Sequence, residues 1–156
     1  MAIDNVREYF KSYQMDDQIL EFEVSSAAKE LTGEKNRFPK PRPSLVGIQP
    51  ILLVTAGDTK IDNTKYKHFF GTKAKMILGD EVENIVGHSI GGVCPFAIND
   101  NVKVYLDESL KRFETVFPAA GSSNSAIELT IPELEKYSNF LQWVDVCKGW
   151  QESNTI

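Results

Sequence analysis

Gly87-His88-Ser89-Ile90-Gly91-Gly92-Val93-Cys94-Pro95-Phe96-Ala97-Ile98 sets three glycines and a proline among apolar residues that would otherwise extend as a strand. Glycine removes the Cβ that keeps other atoms at a distance and opens positive φ, while Pro95 fixes its own φ and lacks an N–H. A loop of this composition can present backbone amides to an oxygen-rich ligand. The same composition also suits a bulged strand or tight connection that holds no ligand. Gly91 and Pro95 stand in a GxxxP spacing, too short a signal to decide between the two.

The flanks supply the architecture. Upstream, the run from Ile48 through Ala56 is too short for a membrane span and reads as a central strand. Asp62 to Phe70 reads as a helix, Lys75 to Leu78 as a strand and Glu81 to Val86 as a helical turn. Nearer the start, Asp4 is a candidate cap for a helix whose Val6, Tyr9, Phe10 and Tyr13 fall at i, i+3, i+4 and i+7. Ile19 to Val24 alternates apolar and acidic residues like a half-exposed strand, and Ser25 or Ser26 opens a short helix that Gly33 ends. A loop rich in charge and proline follows. Downstream, Val102 to Leu106 predicts a strand leading into an Asp107-Glu108-Ser109-Leu110 turn. Thr115 to Ala119 and Ile127 to Thr130 read as two more strands, and Thr130 with Pro132 starts a helix through Leu141. The class is α+β. Residues 1–150 read as a single domain and 151–156 as a frayed tail.

Composition narrows the chemistry. A chain of 156 residues with 42% hydrophobic content can bury one real core. Seventeen basic against 22 acidic residues give a net charge of −5, which argues against a surface coated for non-specific nucleic-acid binding but leaves room for a local basic patch. Cys94 and Cys147 are the two cysteines, without an apolar leader, so a reduced cytoplasmic setting is expected. His68 and His88 are too few to build a zinc site with no CxxC or Cys/His cluster beside them. No GxSxG elbow supports a Ser-His-Asp triad. No metal, cofactor or membrane association is expected.

Several blocks in order resemble the YbaK/ProX family of free-standing aminoacyl-tRNA editing domains, a module also found inserted in bacterial prolyl-tRNA synthetases. The match begins near Val24, runs through Ala27-Ala28-Lys29-Glu30-Leu31, Lys40, Pro50-Ile51-Leu52-Leu53-Val54-Thr55-Ala56-Gly57-Asp58 and the glycine loop, and continues through Val104-Tyr105-Leu106-Asp107-Glu108-Ser109-Leu110. It closes on Pro118-Ala119-Ala120-Gly121-Ser122-Ser123 with Ile127-Glu128-Leu129. The resemblance implies a mixed, barrel-like β-sheet flanked by helices and an aminoacyl-tRNA deacylase. It also implies that Lys40 is the essential lysine, since counting from Val24 and back from Pro50 and Gly57 reaches the same residue. There a compact ammonium can bind phosphate and stabilise developing negative charge.

An aminoacyl ester is already activated, so positioning and an oxyanion stabiliser can suffice. Gly91, Gly92, Val93, Cys94, Pro95 and Phe96 are the candidate substrate-binding loop, with Val93, Cys94 and Phe96 helping to set pocket volume. Gly121 and Ser122 resemble the family's second glycine turn beside the pocket, although a turn explains them equally. His88 is a secondary candidate for general base, against a structural role. Asp107 matches an acidic position of the family and reads more readily as a cap than as a catalytic group. Cys94 as a covalent nucleophile is the rival idea; an apolar-flanked cysteine is usually inert packing.

Lys35, Arg37, Phe38 and Arg42 surround Lys40 in a segment with four positive charges and one ring, a candidate grip on the acceptor end of tRNA or simply a solvated loop. The segment departs from the family at Pro41 and Pro43. Two missing backbone donors require the chain there to be an edge strand, a bulge or no strand. The expected function is a trans-acting hydrolase that clears a small wrong amino acid such as alanine, serine or cysteine from tRNA for proline, with prolyl-tRNA synthetase as a possible partner. The alternatives are a non-catalytic module that binds aminoacyl-tRNA or a synthetase, and a hydrolase of another small acyl ester or nucleotide derivative.

Overall fold

The computed structural model describes residues 2–22, 37–89 and 91–150. The expectations for residues 23 and 24, for the helix opening at Ser25 or Ser26, for Lys35 and for the 151–156 tail lie outside them.

A helix α1 (Ala2–Lys11) leads to strand β1 (Ile19–Glu21), then β2 (Lys40–Val46), β3 (Gln49–Thr55) and β4 (Lys60–Ile61). Helix α2 (Asn63–Phe70), β5 (Lys75–Met76) and helix α3 (Gly79–Val86) precede the glycine loop. After it come β6 (Lys103–Asp107), β7 (Thr115–Val116), β8 (Ser125–Ile127), β9 (Leu129–Thr130), helix α4 (Ile131–Ser138), β10 (Gln142–Val144) and β11 (Cys147–Lys148). The main sheet has the order β10-β6-β3-β2-β5. β6 lies parallel to both β3 and β10, while β2 is antiparallel to β3 and β5. The architecture is the expected mixed sheet flanked by helices. Among the described residues the strand order runs from one edge to the other without closing into a barrel, and β1-β8, β7-β9 and β4-β11 form separate two-stranded ribbons.

β3 is the axis because nearly every residue from Pro50 to Thr55 is buried. Its Leu52 and Val54 join Val104 and Leu106 of β6, Val82 and Val86 of α3, Val6 and Phe10 of α1 and Leu134 of α4 in the principal core. Leu53 points to the opposite face, with Tyr66 of α2 and Val144, Val146 and Cys147. A strand apolar on both faces is what a sheet covered on both sides demands. Val93, Cys94 and Phe96 belong to the principal core, so the glycine loop is anchored from beneath.

The helices stop where local chemistry stops them. Asp62 Oδ1 accepts from the amides of Thr64 and Lys65 at 3.0 and 3.1 Å and caps α2. Thr130 and Glu133 form a capping box on α4. Gly87 closes α3 at φ +110, its N–H donating to Glu83 O at 3.0 Å, and so releases the chain into the glycine loop.

Several boundaries differ from expectation. Asp4 lies inside the first turn of α1 rather than capping it, where its charge still suits the helix dipole. Thr115 to Ala119 is not one strand: β7 ends at Val116 and Ala119 rejoins through a single bridge to Ala126. β8 and β9 divide at Glu128. α4 ends at Ser138 because Asn139 turns left-handed at φ +52, which allows the Leu141 amide to reach Val104 O at 2.7 Å. The proline-rich segment around Lys40, for which the sequence leaves an edge strand, a bulge or no strand, is a seven-residue strand paired along its whole length with β3.

Candidate active site

The glycine loop and the second glycine turn meet. A Cβ placed on Gly92 would lie 2.6 Å from the carbonyl carbon and oxygen of Gly121 and 2.7 Å from the amide nitrogen of Ser122. Backbone rests on backbone at a separation only glycine allows. Gly91 is left-handed at φ +97 with Ser123 Cβ beside it, and the Gly92 amide donates to Ser89 O at 3.0 Å. Ser122 Oγ donates to Asn124 Oδ1 at 2.8 Å, with Ser125 Oγ at the same distance, so its hydroxyl is engaged within its own turn.

His88 braces the loop from inside. It is fully buried, and its Nε2–H donates to Phe96 O at 2.6 Å. In the neutral ring that burial favours, Nδ1 is then the unprotonated nitrogen. Among the described residues Nδ1 has no hydrogen-bond partner. Burial pushes the imidazole below its ordinary pKa, with the Phe96 carbonyl pulling the other way. Cys94 Sγ lies 3.5 Å from His88 Nε2 and 3.8 Å from Phe96 O. Burial pushes this thiol up to about 12, against weaker backbone hydrogen bonds from Phe96 and Gly121. A neutral thiol in the core is not poised as a nucleophile. Phe96 is fully buried and its ring meets Phe10 edge-on at 4.8 Å. Ala97 follows at φ +55, a conformation that costs a residue with a Cβ about 1–2 kcal/mol.

A second cluster stands at the carboxyl ends of the parallel pair β3 and β6, the end where open α/β sheets commonly take ligands. Lys40 opens β2 there, exposed, opposite the buried Thr55. Arg42 lies two residues along. Its Nε donates to Thr55 Oγ1 at 3.0 Å and a terminal nitrogen to Thr59 O at 2.8 Å, so the guanidinium holds the turn after β3. Asp107 is fully buried: Oδ2 accepts from Ser109 N and Oδ1 from Val146 N, both at 2.9 Å. Ser109 Oγ in turn accepts from Ala56 N at 3.1 Å. The carboxylate therefore ties β6, the turn after it, β3 and the segment before β11 into one knot.

Arg37 and Phe38 belong to a third cluster. Arg37 donates to Thr115 and pairs with Glu128, its guanidinium lies 4.7 Å over the Phe117 ring, and Phe38 stacks on Phe117 at 5.1 Å. Thus the structure brings Gly91 to Phe96 together with His88, Gly121 and Ser122, and groups Lys40, Arg42 and Asp107 at the sheet end. The two groups share the principal core through Ala56, Cys94 and Ala120. Thr55, Thr59 and Ser109 were not singled out from sequence, because isolated hydroxyls carry no spacing signal. The Asp107-x-Ser109 pair after a strand is the one local pattern that points to them.

Among the described residues no cluster of three His, Cys, Asp or Glu side chains could hold a metal, and no helix is long and apolar enough to cross a membrane. A family model described as an aminoacyl-tRNA editing domain matches residues 45–137. The chain belongs to the aminoacyl-tRNA editing domain family. The match spans β3, the glycine loop, Asp107 and the Gly121–Ser122 turn. The chain is 48% identical over 160 residues to YwhH of Bacillus subtilis (strain 168), a protein described as uncharacterized, covering 97% of this chain and 100% of YwhH. It is 22% identical over 99 residues to a proline–tRNA ligase of Lactiplantibacillus plantarum, 63% of this chain and 17% of that ligase. In fold it resembles a crystal structure of a candidate trans-editing enzyme for prolyl-tRNA synthetase, with a TM-score of 0.84 at 21% identity over 95% of this chain and 98% of that one.

Proposed function

We propose that this editing domain is a trans-acting aminoacyl-tRNA deacylase that removes a small wrong amino acid, such as alanine, serine or cysteine, from tRNA for proline. The observation that carries the reading is the Gly92 contact with the Gly121–Ser122 peptide in a chain of this family. It makes the glycine loop a fixed backbone surface rather than a free turn. Since the Gly92 amide is taken by Ser89 O, the amides of Val93 and Cys94 are assigned to the ester carbonyl. Lys40 neutralises charge on the terminal adenosine and on the tetrahedral intermediate. Water adds to the carbonyl carbon, its proton passes by way of the free ribose hydroxyl, and the C–O bond to the esterified ribose oxygen breaks. Free amino acid and uncharged tRNA leave.

His88 positions Phe96 and hence the loop, Asp107 positions the strand end beside Lys40, and neither exchanges protons with substrate. Arg37, Phe38 and Arg42 shape the wall that receives the acceptor end, with Lys35 as a further cation for it. Val93, Cys94 and Phe96 set the volume left for the amino-acid side chain, where a methylene is worth about 1–3 kcal/mol.

The test is hydrolysis of tRNA for proline carrying alanine, serine, cysteine or proline, with wild type beside Lys40→Ala. Lys40-dependent release of one wrong amino acid with proline spared is the expected result. Release no faster than buffer for all four refutes catalysis and leaves a module that binds aminoacyl-tRNA or a synthetase. A simple amino-acid ester hydrolysed as fast as charged tRNA would instead indicate a hydrolase of small acyl esters.

A further inference from the structure

A basic cluster stands apart from the glycine loop. α2 and the loop after it enclose a surface depression of about 840 Å³ lined by Asn63, Thr64, Lys67, His68, Lys73 and Ala74, with no acidic side chain among them. From position 60 to 75 the chain carries Lys60, Lys65, Lys67, His68, Lys73 and Lys75 against a single carboxylate, Asp62, although its overall charge is −5. That carboxylate is committed to the amides of Thr64 and Lys65, and Lys65 is committed to Asp145 and to Cys147 O. Lys67, His68 and Lys73 are exposed, and among the described residues neither Lys67 nor Lys73 makes an ion pair. Locally concentrated, unpaired cations in an acidic protein are the electrostatic footprint of a polyanion.

We propose that this depression binds backbone phosphates of an RNA, namely the stem of the tRNA whose acceptor end the active site receives; the choice of tRNA rests on the editing reading above. Three basic side chains spread around so wide a depression suit successive phosphates better than one small anion. Their place along the sheet agrees. Lys75, two residues beyond Lys73 and just outside the lining of the depression, pairs with Leu45, five residues along β2 from Lys40, which is about 17 Å at the rise of a strand. That separation covers several phosphates of a helical strand, so the cluster meets the stem when Lys40 meets the terminus. The proposal also supplies free cations where the Lys40 segment offers few, since Arg37 and Arg42 are engaged within the fold.

The experiment is fluorescence anisotropy of labelled, uncharged tRNA across a salt series, using wild type, Lys67→Ala/Lys73→Ala, and Lys11→Ala/Lys103→Ala as a control of equal charge at exposed positions of α1 and β6. The slope of log K against log salt should fall in magnitude by about 1.4–1.8 in the first double variant, because each lost phosphate contact removes roughly 0.7–0.9. The control should keep the wild-type slope, and both variants should melt with the wild type. An unchanged slope in the Lys67/Lys73 variant, or an equal fall in the control, overturns the site. So does stabilisation by inorganic phosphate that depends on Lys67 and Lys73 while tRNA binding does not, which would mark a small-anion site. Sedimentation with anionic phospholipid vesicles that depends on the pair, without an effect on tRNA, overturns it in favour of a membrane. Wild type that binds tRNA with the Lys67/Lys73-dependent slope but deacylates none refutes the editing reading and leaves this site standing.

Discussion

Replacing Gly92 with alanine tests the contact on which the candidate site depends. The added Cβ would sit 2.6 Å from the Gly121 carbonyl group and 2.7 Å from Ser122 N, whereas ordinary contact begins at 3.4 Å, so the two segments must part by about 0.8 Å. Both obstacles are backbone, and no side chain can rotate away to relieve them. The flanks resist as well: Val93, Cys94 and Ala120 are 4%, 1% and 0% exposed. Overpacking of this kind costs about 1–3 kcal/mol, and the rigid surroundings place Gly92→Ala near the upper end. For a chain of this size about 3 kcal/mol lowers the melting temperature by roughly 6–12 °C. Gly91→Ala is the comparison. Its Cβ meets only Ser123 Cβ at 3.5 Å, but φ of +97 is forced, so it should pay about 1–2 kcal/mol of backbone strain without displacing the turn. Differential scanning calorimetry orders the two variants. Deacylation measured well below the lower melting temperature should then fall about a hundredfold in Gly92→Ala, since the Val93 and Cys94 amides move by most of an ångström. A Gly92→Ala protein that melts with the wild type and hydrolyses normally would show that the two glycine segments do not bear on each other.

Two further substitutions and one chemical modification probe the supports around the candidate site. Asp107→Ala strips the acceptor from the buried amides of Ser109 and Val146 and should cost about 3–4 kcal/mol in urea unfolding; a loss below about 1 kcal/mol would remove Asp107 from the knot at the sheet end. His88 has a folded pKa below its unfolded value of about 6.5, so the unfolded chain binds the proton more readily. The stability this lends is complete above that value and drains away as pH falls through the folded pKa, so the gap in urea midpoint between wild type and His88→Gln should narrow on acidification below about pH 6.5. A gap constant with pH would contradict a buried neutral imidazole. Cys94 and Cys147, each pushed up to about 12, should resist iodoacetamide in the native protein near pH 8 and react on unfolding, and a native product alkylated at Cys94 by mass spectrometry would reopen it as a nucleophile.

Elements fixed by local chemistry were legible in the sequence. The α2 helix was read from Asp62 to Phe70, the start of α4 from Thr130 and Pro132, and β3 from a run of apolar residues that reads as a central strand. The glycine loop was legible as unusual, but not the reason for Gly92. That reason lies 29 residues downstream in Gly121, and no local pattern carries a contact at that separation. The Lys67, His68 and Lys73 cluster escaped for a related reason: its residues straddle the end of α2, and only the turn at Gly71 brings the far one back.

β2 is the instructive case, because of the three alternatives the prolines left open it takes the strand, and it does so by the rule for prolines at a sheet edge. Ile77 N donates to Pro43 O at 3.1 Å, so the backbone of Pro43 faces away from β3, and by the two-residue alternation that of Pro41 does as well. The missing N–H groups therefore fall on the outer edge, which β5 covers only at Ser44 and Leu45. The alternate positions, Lys40, Arg42 and Ser44, keep the side that bonds to β3. Prolines spaced by two protect that edge against further strand pairing while leaving Lys40 in register with Thr55. The departure from the family at Pro41 and Pro43 thus leaves β2 paired with β3 and keeps Lys40 at the end of the sheet where the proposed chemistry needs it.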